Sequence, residues 1–144
     1  MTKKKTYKIP SYRLQLVRDG EIMAKEINCA KLLARADKKL MKSDRERFVC
    51  FYLDGRNRAI AHQTISTGTL NACLVHPREV FKTAILKNAC SIAVVHNHPS
   101  GELAPSEADV LLTERLKDAG KLLGIELIDH VIVNPAGETK SLIT

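Results

Sequence analysis

Tryptophan is absent, and three tyrosines and three phenylalanines are the only aromatic residues. No platform of exposed rings for stacking single-stranded bases is visible in so few. Cysteine occurs four times (Cys29, Cys50, Cys73, Cys90), widely scattered and never as Cys-x-x-Cys, which argues against both a disulfide framework and a zinc ribbon. Each lies in an apolar stretch and reads as a small buried hydrophobe. No apolar run approaches the ~20 residues of a membrane span. Lys3, Lys4 and Lys5 are not followed by the apolar stretch of a signal peptide. Repeats and low-complexity tracts are lacking too. What is present is a chain of 144 residues, 44% hydrophobic and 27% charged, the profile of a soluble globular protein. One domain of this size buries roughly 68–70% of its unfolded surface and needs no staple. A reducing, cytoplasmic setting is expected.

The net charge of +7 is unevenly spread. Residues 1–50 hold 14 Lys/Arg against 6 Asp/Glu, or +8, and residues 51–144 hold 9 against 10, or −1. Such a basic front can meet nucleic acid or an acidic protein, and it can equally be solvated lysines on a helix and a tail.

Residues 12–17, Asp19-Gly20 and residues 21–27 read as a hairpin, since Asp-Gly supplies the positive φ of a tight turn. Asn28 can cap a helix reaching Met41, with Ala30, Leu33, Leu40 and Met41 near helical spacing. Residues 1–42 are taken as a basic hairpin and helix within the same domain as 43–144. Phe48 to Leu53 is an apolar strand, turned by Asp54-Gly55 into Ala59 to Ser66. Gly68 breaks the chain before a short strand at 72–75. Pro77 starts a helix whose apolar face carries Val80, Phe81, Ala84, Ile85 and Ala89. Ile92 to Val95 is a strand leading into His96-Asn97-His98-Pro99. Ser106 opens a long helix with the stripe Ala108, Leu111, Leu112, Leu116, Ala119, Leu122 and Leu123, ended by Gly124. Strands over 125–133 and about 140–143 close the chain. The class is α/β or α+β, with a sheet covered on both faces.

The chemistry concentrates between His96 and Asp109. A strand sends alternate side chains to opposite faces, so His96 and His98 point one way and Asn97 the other. Two imidazoles at i and i+2 can reach one ion. Asp109, eleven residues beyond His98, falls on the first turn of the following helix. Two histidines and a carboxylate leave the fourth tetrahedral position open, as in catalytic zinc sites. His-x-His alone is a weak signal; joined to Pro99, Ser106 and Asp109 at this spacing it is a strong one.

The run His96-Asn97-His98-Pro99-Ser100-Gly101, then Pro105-Ser106 and Asp109, resembles the JAMM signature of JAB/MPN domains, and its wording is that of the RadC branch. Thr67-Gly68-Thr69, Val75-His76-Pro77-Arg78-Glu79 and Leu127-Ile128-Asp129-His130 are similar to that branch as well, so the likeness runs from about Ser43 to the C-terminus. The resemblance implies a cytidine-deaminase-like fold in three layers, with helices flanking a central sheet. It also implies one Zn2+ per chain on His96, His98 and Asp109, and a glutamate upstream, for which Glu46 stands in the matching place. A zinc-activated water would attack an amide or isopeptide bond while Glu46 moves its proton. Ser43-Asp44-Arg45-Glu46 also fits a helix-capping box, and so does Ser106 with Asp109; Ser106 can start the helix and aim its hydroxyl at an oxyanion. Glu79 is the second candidate base, although a first-turn carboxylate also complements the helix dipole. His62 and His76 read as structural. Asp129 and His130 stand between a role behind the zinc ligands and a buried hydrogen-bonded pair.

Other readings fare less well. The residues of an HNH nuclease lie far apart on a ββα unit, not consecutively on a strand. Pro99 to Gly101 break the metallo-β-lactamase pattern, and a zinc deaminase needs a Cys-x-x-Cys that is missing. The expected activity is a zinc metallopeptidase acting on a peptide or protein substrate, with no membrane partner. The alternative is a nucleic-acid-associated protein or nuclease acting through the basic residues of 1–50.

Overall fold

A computed structural model describes residues 2, 4, 6–18, 30–68 and 75–143 of the chain. Among the described residues two short helices come first, α1 (Ala30–Ala36) and α2 (Lys38–Met41), then a hairpin of β1 (Arg47–Leu53) and β2 (Ala59–Thr67). Helix α3 (Pro77–Leu86) leads to β3 (Ser91–Asn97), and α4 (Glu107–Leu123) to β4 (Glu126–Val133) and β5 (Thr139–Ser141). The five strands form one mixed sheet in the order β2-β1-β3-β4-β5. Only the β3–β4 pair is parallel, as the α4 crossover between them requires; the other neighbours are antiparallel.

β3 sits at the centre, and all seven of its residues are buried. Period-two alternation sorts the sheet's side chains into two cores. Phe48, Cys50, Tyr52, Ile92 and Val94 meet Val80, Phe81 and Ala84 of α3 and Leu112 and Leu116 of α4. On the other face Val49, Phe51, Leu53, Ala93, Val95, Val131 and Val133 meet Ala30, Leu33 and Ala34 of α1, with Leu40 of α2. Each large side chain so buried contributes about 1.5–3 kcal/mol. The architecture is a sheet between two helical layers, as expected. Gly120 is a close-approach position: a Cβ there would run into the Ile125 carbonyl oxygen and the Phe81 ring. α4 can therefore press directly on α3 and the start of β4.

Several local expectations are corrected. Residues 12–17 form no strand; Tyr12, Leu14 and Val17 are exposed. The rest of that hairpin, Asn28, and most of the strand expected at 72–75 lie outside the described residues. The helix expected to run to Met41 is interrupted at Asp37, whose carboxylate accepts from the Leu40 amide (3.0 Å) and starts α2 afresh. In the β1–β2 turn the left-handed residue is Asn57 (φ 58°), and Asp54 gathers the amides of Arg56 and Arg58. Along α4 the buried line is Asp109, Leu112, Thr113, Leu116 and Gly120, while Leu111, Leu122 and Leu123 are exposed. Ile85 of α3 is exposed too. Cys50 is buried as expected, and burial pushes its thiol up; Cys90 is exposed.

Candidate metal centre

The end of β3 makes the site. His96 is the last inward-facing residue of its strand and is fully buried. His98, two residues on, keeps β pairing through its amide to Val133 O (2.9 Å) and so presents its ring on the same face. Asp109 comes from the first turn of α4, where Ser106 is the N-cap: Ser106 Oγ accepts from the Asp109 amide (3.1 Å) and an Asp109 Oδ2 accepts from the Ser106 amide (2.8 Å). That reciprocal box fixes the carboxylate's direction. Asp109 oxygens then lie 3.3 Å from His96 Nε2 and 3.5 Å from His98 Nε2, and the two Nε2 atoms are 2.9 Å apart.

The hydrogen-bond partners behind these rings settle which nitrogens carry protons. Thr113 spends its hydroxyl hydrogen on Asp109 O (2.7 Å), so its oxygen accepts from His130 Nδ1–H (2.6 Å). His130 Nε2 is thereby left to accept from His96 Nδ1–H (2.7 Å). On the other ring, His98 Nδ1–H donates to Glu102 O (2.7 Å). Both Nε2 lone pairs consequently face the Asp109 carboxylate. With both imidazoles neutral, three Lewis-basic groups converge with no donor among them, an arrangement that calls for a cation, be it a metal ion or a proton.

A proton on Nε2 can stand in for that cation. His98 is raised above the usual histidine range, chiefly by its hydrogen bond to Asp109, with the charges of Asp109 and Glu46 adding to it. Burial works to raise Asp109, yet hydrogen bonds from His96 and His98 overcome it and hold the carboxyl far below the ordinary range. His130 goes the other way: burial, then the charge of His96, pushes it down to about 3, so it stays neutral. The Phe48 ring lies over His96 and meets His130 edge-on, with centroids 6.3 and 5.6 Å away. Water is kept from the back of the site.

His96, His98 and Asp109 thus come together as one buried group able to hold a metal ion. Glu46 is half-buried and immediately precedes β1. β1 and β3 pair Phe48 with His96; continuing that antiparallel register by two residues sets Glu46 opposite His98. Ser106 is exposed at the rim. Glu79 is not part of the group; its carboxylate is spent on Lys82 (2.9 Å) in the first turn of α3. His62 stacks on Phe51 on the far face of the sheet, and His76 caps α3 by accepting from the Arg78 amide.

The pattern of the RadC-like JAB domain matches residues 27–143. The chain belongs to that family. This JAB domain is similar to a UPF0758 protein of Methanosarcina mazei, 46% identical over 95 residues, which are 66% of this chain and 42% of that protein. It is similar also to UPF0758 proteins of Bacillus licheniformis (53% over 88 residues, 61% of the chain and 39% of the relative) and Syntrophomonas wolfei (54% over 90 residues, 62% and 38%). The chain spans about two fifths of the length of these curated relatives.

Two residues of the JAB site went unassigned in the sequence. Thr113 is four residues after Asp109 on one helix face, and a buried mid-helix hydroxyl at i+4 from a ligand candidate was the available signal. His130 was noticed but left open; the structure puts it behind His96. Asp129 instead points away and accepts from the His130 amide and the Ser141 hydroxyl.

Proposed function

We propose that this RadC-like JAB domain is a zinc-dependent hydrolase that cleaves an amide or isopeptide bond in a peptide or protein. The observation that carries the reading is the convergence of His96 Nε2, His98 Nε2 and the Asp109 carboxylate, with every rear nitrogen committed elsewhere. Two nitrogens and an oxygen form a mixed donor set suited to zinc, and three protein ligands leave a position open. A bound zinc ion would polarise the scissile carbonyl and bring the pKa of water toward ~7.

The chain's own groups do the rest. Glu46, across from His98, takes the proton of the attacking water and returns it to the leaving amine. Ser106 uses its oxygen to accept from Asp109 N–H, which leaves its hydroxyl hydrogen to donate toward the developing oxyanion. Asp109 and His98 hold their orientations through the capping box and Glu102.

The test is elemental analysis of the purified protein beside a His96/His98 double alanine variant, followed by screening of peptide and isopeptide substrates. About one zinc per chain in the wild type, and none in the variant, is expected. Wild-type protein that neither contains nor takes up a transition metal would end the reading. Glu46→Gln should keep the metal and lose ~10²–10⁴-fold in hydrolysis, the usual worth of a positioned base. Loss of metal in that variant would instead make Glu46 a fourth ligand and the site a closed, structural one.

A second reading has one observation of its own. Lys38, Lys39, Lys42 and Arg47 line an open groove of about 520 Å³ beside α2, together with Ser43 and Asp44. This is one part of the basic front, and a nucleic-acid backbone fits its charge. Binding there should weaken steeply with salt and fall when Lys38, Lys39 and Lys42 are neutralised. No salt-dependent binding at low ionic strength would remove it.

A further inference from the structure

We infer that Asn97, the residue between the two histidines, is a positioning residue that sets Glu46 against the metal centre. The inference rests on the reading of Glu46 given above. Asn97 is fully buried and lies on the face of β3 opposite the imidazoles, where its neighbours are Ala93 and Val95. An apolar residue would continue that face at no cost, whereas a buried amide is costly unless its groups are paired.

Asn97 is fully paired, and its partners are telling. Its Oδ1 accepts from the Arg47 amide (2.7 Å), and its Nδ2 donates to Arg45 O (2.9 Å) and Ser43 O (3.4 Å). The two closest contacts are to the residues on either side of Glu46. Donor and acceptor roles are mutually consistent, so the amide orientation follows from the network.

The effect is that of a strand pairing where no strand has yet formed. β1 begins at Arg47. One step earlier the chain is held by Asn97 on one side and by Gly68 N–H on the other, which donates to Glu46 O (2.8 Å). With the backbone fixed before, at and after Glu46, alternation sends its side chain to the face of Phe48 and His96. One residue therefore ties the base to the strand that carries both imidazoles. If β3 shifts, the histidines and Glu46 shift together.

The test uses Co2+ as the probe, bound to purified protein in place of the native ion. Wild type, Glu46→Gln, Asn97→Ala and the double variant are compared for Co2+ affinity and for the pH midpoint of the visible Co2+ spectrum. Glu46→Gln should displace that midpoint by about one pH unit, as removal of a neighbouring carboxylate does. Asn97→Ala should reproduce most of the displacement at nearly unchanged affinity, and the double variant should add nothing to Glu46→Gln.

A midpoint that moves in Glu46→Gln but stays put in Asn97→Ala would overturn the inference alone. A midpoint unmoved by Glu46→Gln would overturn the assignment of Glu46, and this inference with it. Asn97→Ser, which keeps some volume and polarity but not the reach, provides a second variant should the alanine fail to fold. If both Asn97 variants fold and lose Co2+, Asn97 acts on the histidines and not on Glu46, and the inference is wrong.

Discussion

Replacing Thr113 by valine removes one oxygen from behind the metal centre and little else, because the two side chains have nearly the same shape. Thr113 is 4% exposed and His130 is fully buried. The lost oxygen had accepted from His130 Nδ1–H and its hydrogen had gone to Asp109 O. Each buried group left without a partner costs about 1–3 kcal/mol. His130 has one escape, which is to carry its proton on Nε2. That tautomer puts an N–H against His96 Nδ1, and His96 must then move its own proton to Nε2, the lone pair needed by a cation. Metal affinity should therefore fall ~10–100-fold, the usual effect of removing such a partner, equivalent to about 1.4–2.8 kcal/mol. Competition against a chromophoric chelator measures it, with Thr113→Ser as the control that keeps the hydroxyl and should keep the affinity. A Thr113→Val protein that is less stable yet binds metal as tightly as wild type would refute the proton arrangement deduced for the two histidines.

The metal-free protein should lose stability on acidification. His130, held near 3 in the fold against ~6.5 unfolded, binds more protons when unfolded between those values, so stability drops as pH falls from about 6.5. His98 has the opposite sign, its raised value adding stability below ~6.5 that is lost as pH rises through it. Urea midpoints between pH 7 and 4 should fall less steeply for His130→Gln than for wild type; equal slopes would assign the acid sensitivity elsewhere. Ser106→Ala should cost about 0.5–2 kcal/mol as a lost helix cap while retaining metal, whereas Asp109→Ala should lose the metal as well. Equal metal loss in both would make Ser106 a ligand.

Whatever depended on near neighbours in the chain was readable before the fold was known. His-x-His on an apolar strand announced a shared face, and Ser106 and Gly124 bounded α4 because caps act locally. The break at Asp37 was missed because the helical spacing runs on to Met41 across it, and side chain–backbone competition of that kind is decided by geometry. The leucines of α4 suggested a wide apolar stripe, but Gly120 brings the helix so close that a narrower line is buried. Glu46 needed the register between β1 and β3, which joins residues about fifty apart in sequence. His130 was left open and Thr113 unassigned for the same reason: a buried histidine on a strand has no definite role until its partners are known.

Asp109 answers to two masters, the first turn of α4 and the pair of histidines with which it could hold a metal ion. At that capping position glutamate is the more favoured partner for serine, and Asp109→Glu would satisfy the helix while carrying the carboxylate one methylene past the imidazoles. Such a protein should fold with α4 intact and bind no metal, as circular dichroism and elemental analysis would show. One conservative step can therefore empty the site and keep the architecture, so a shared fold is poor testimony to a shared metal site. Here the length of one side chain on the first turn of α4, and not the helix itself, decides whether the site can be filled.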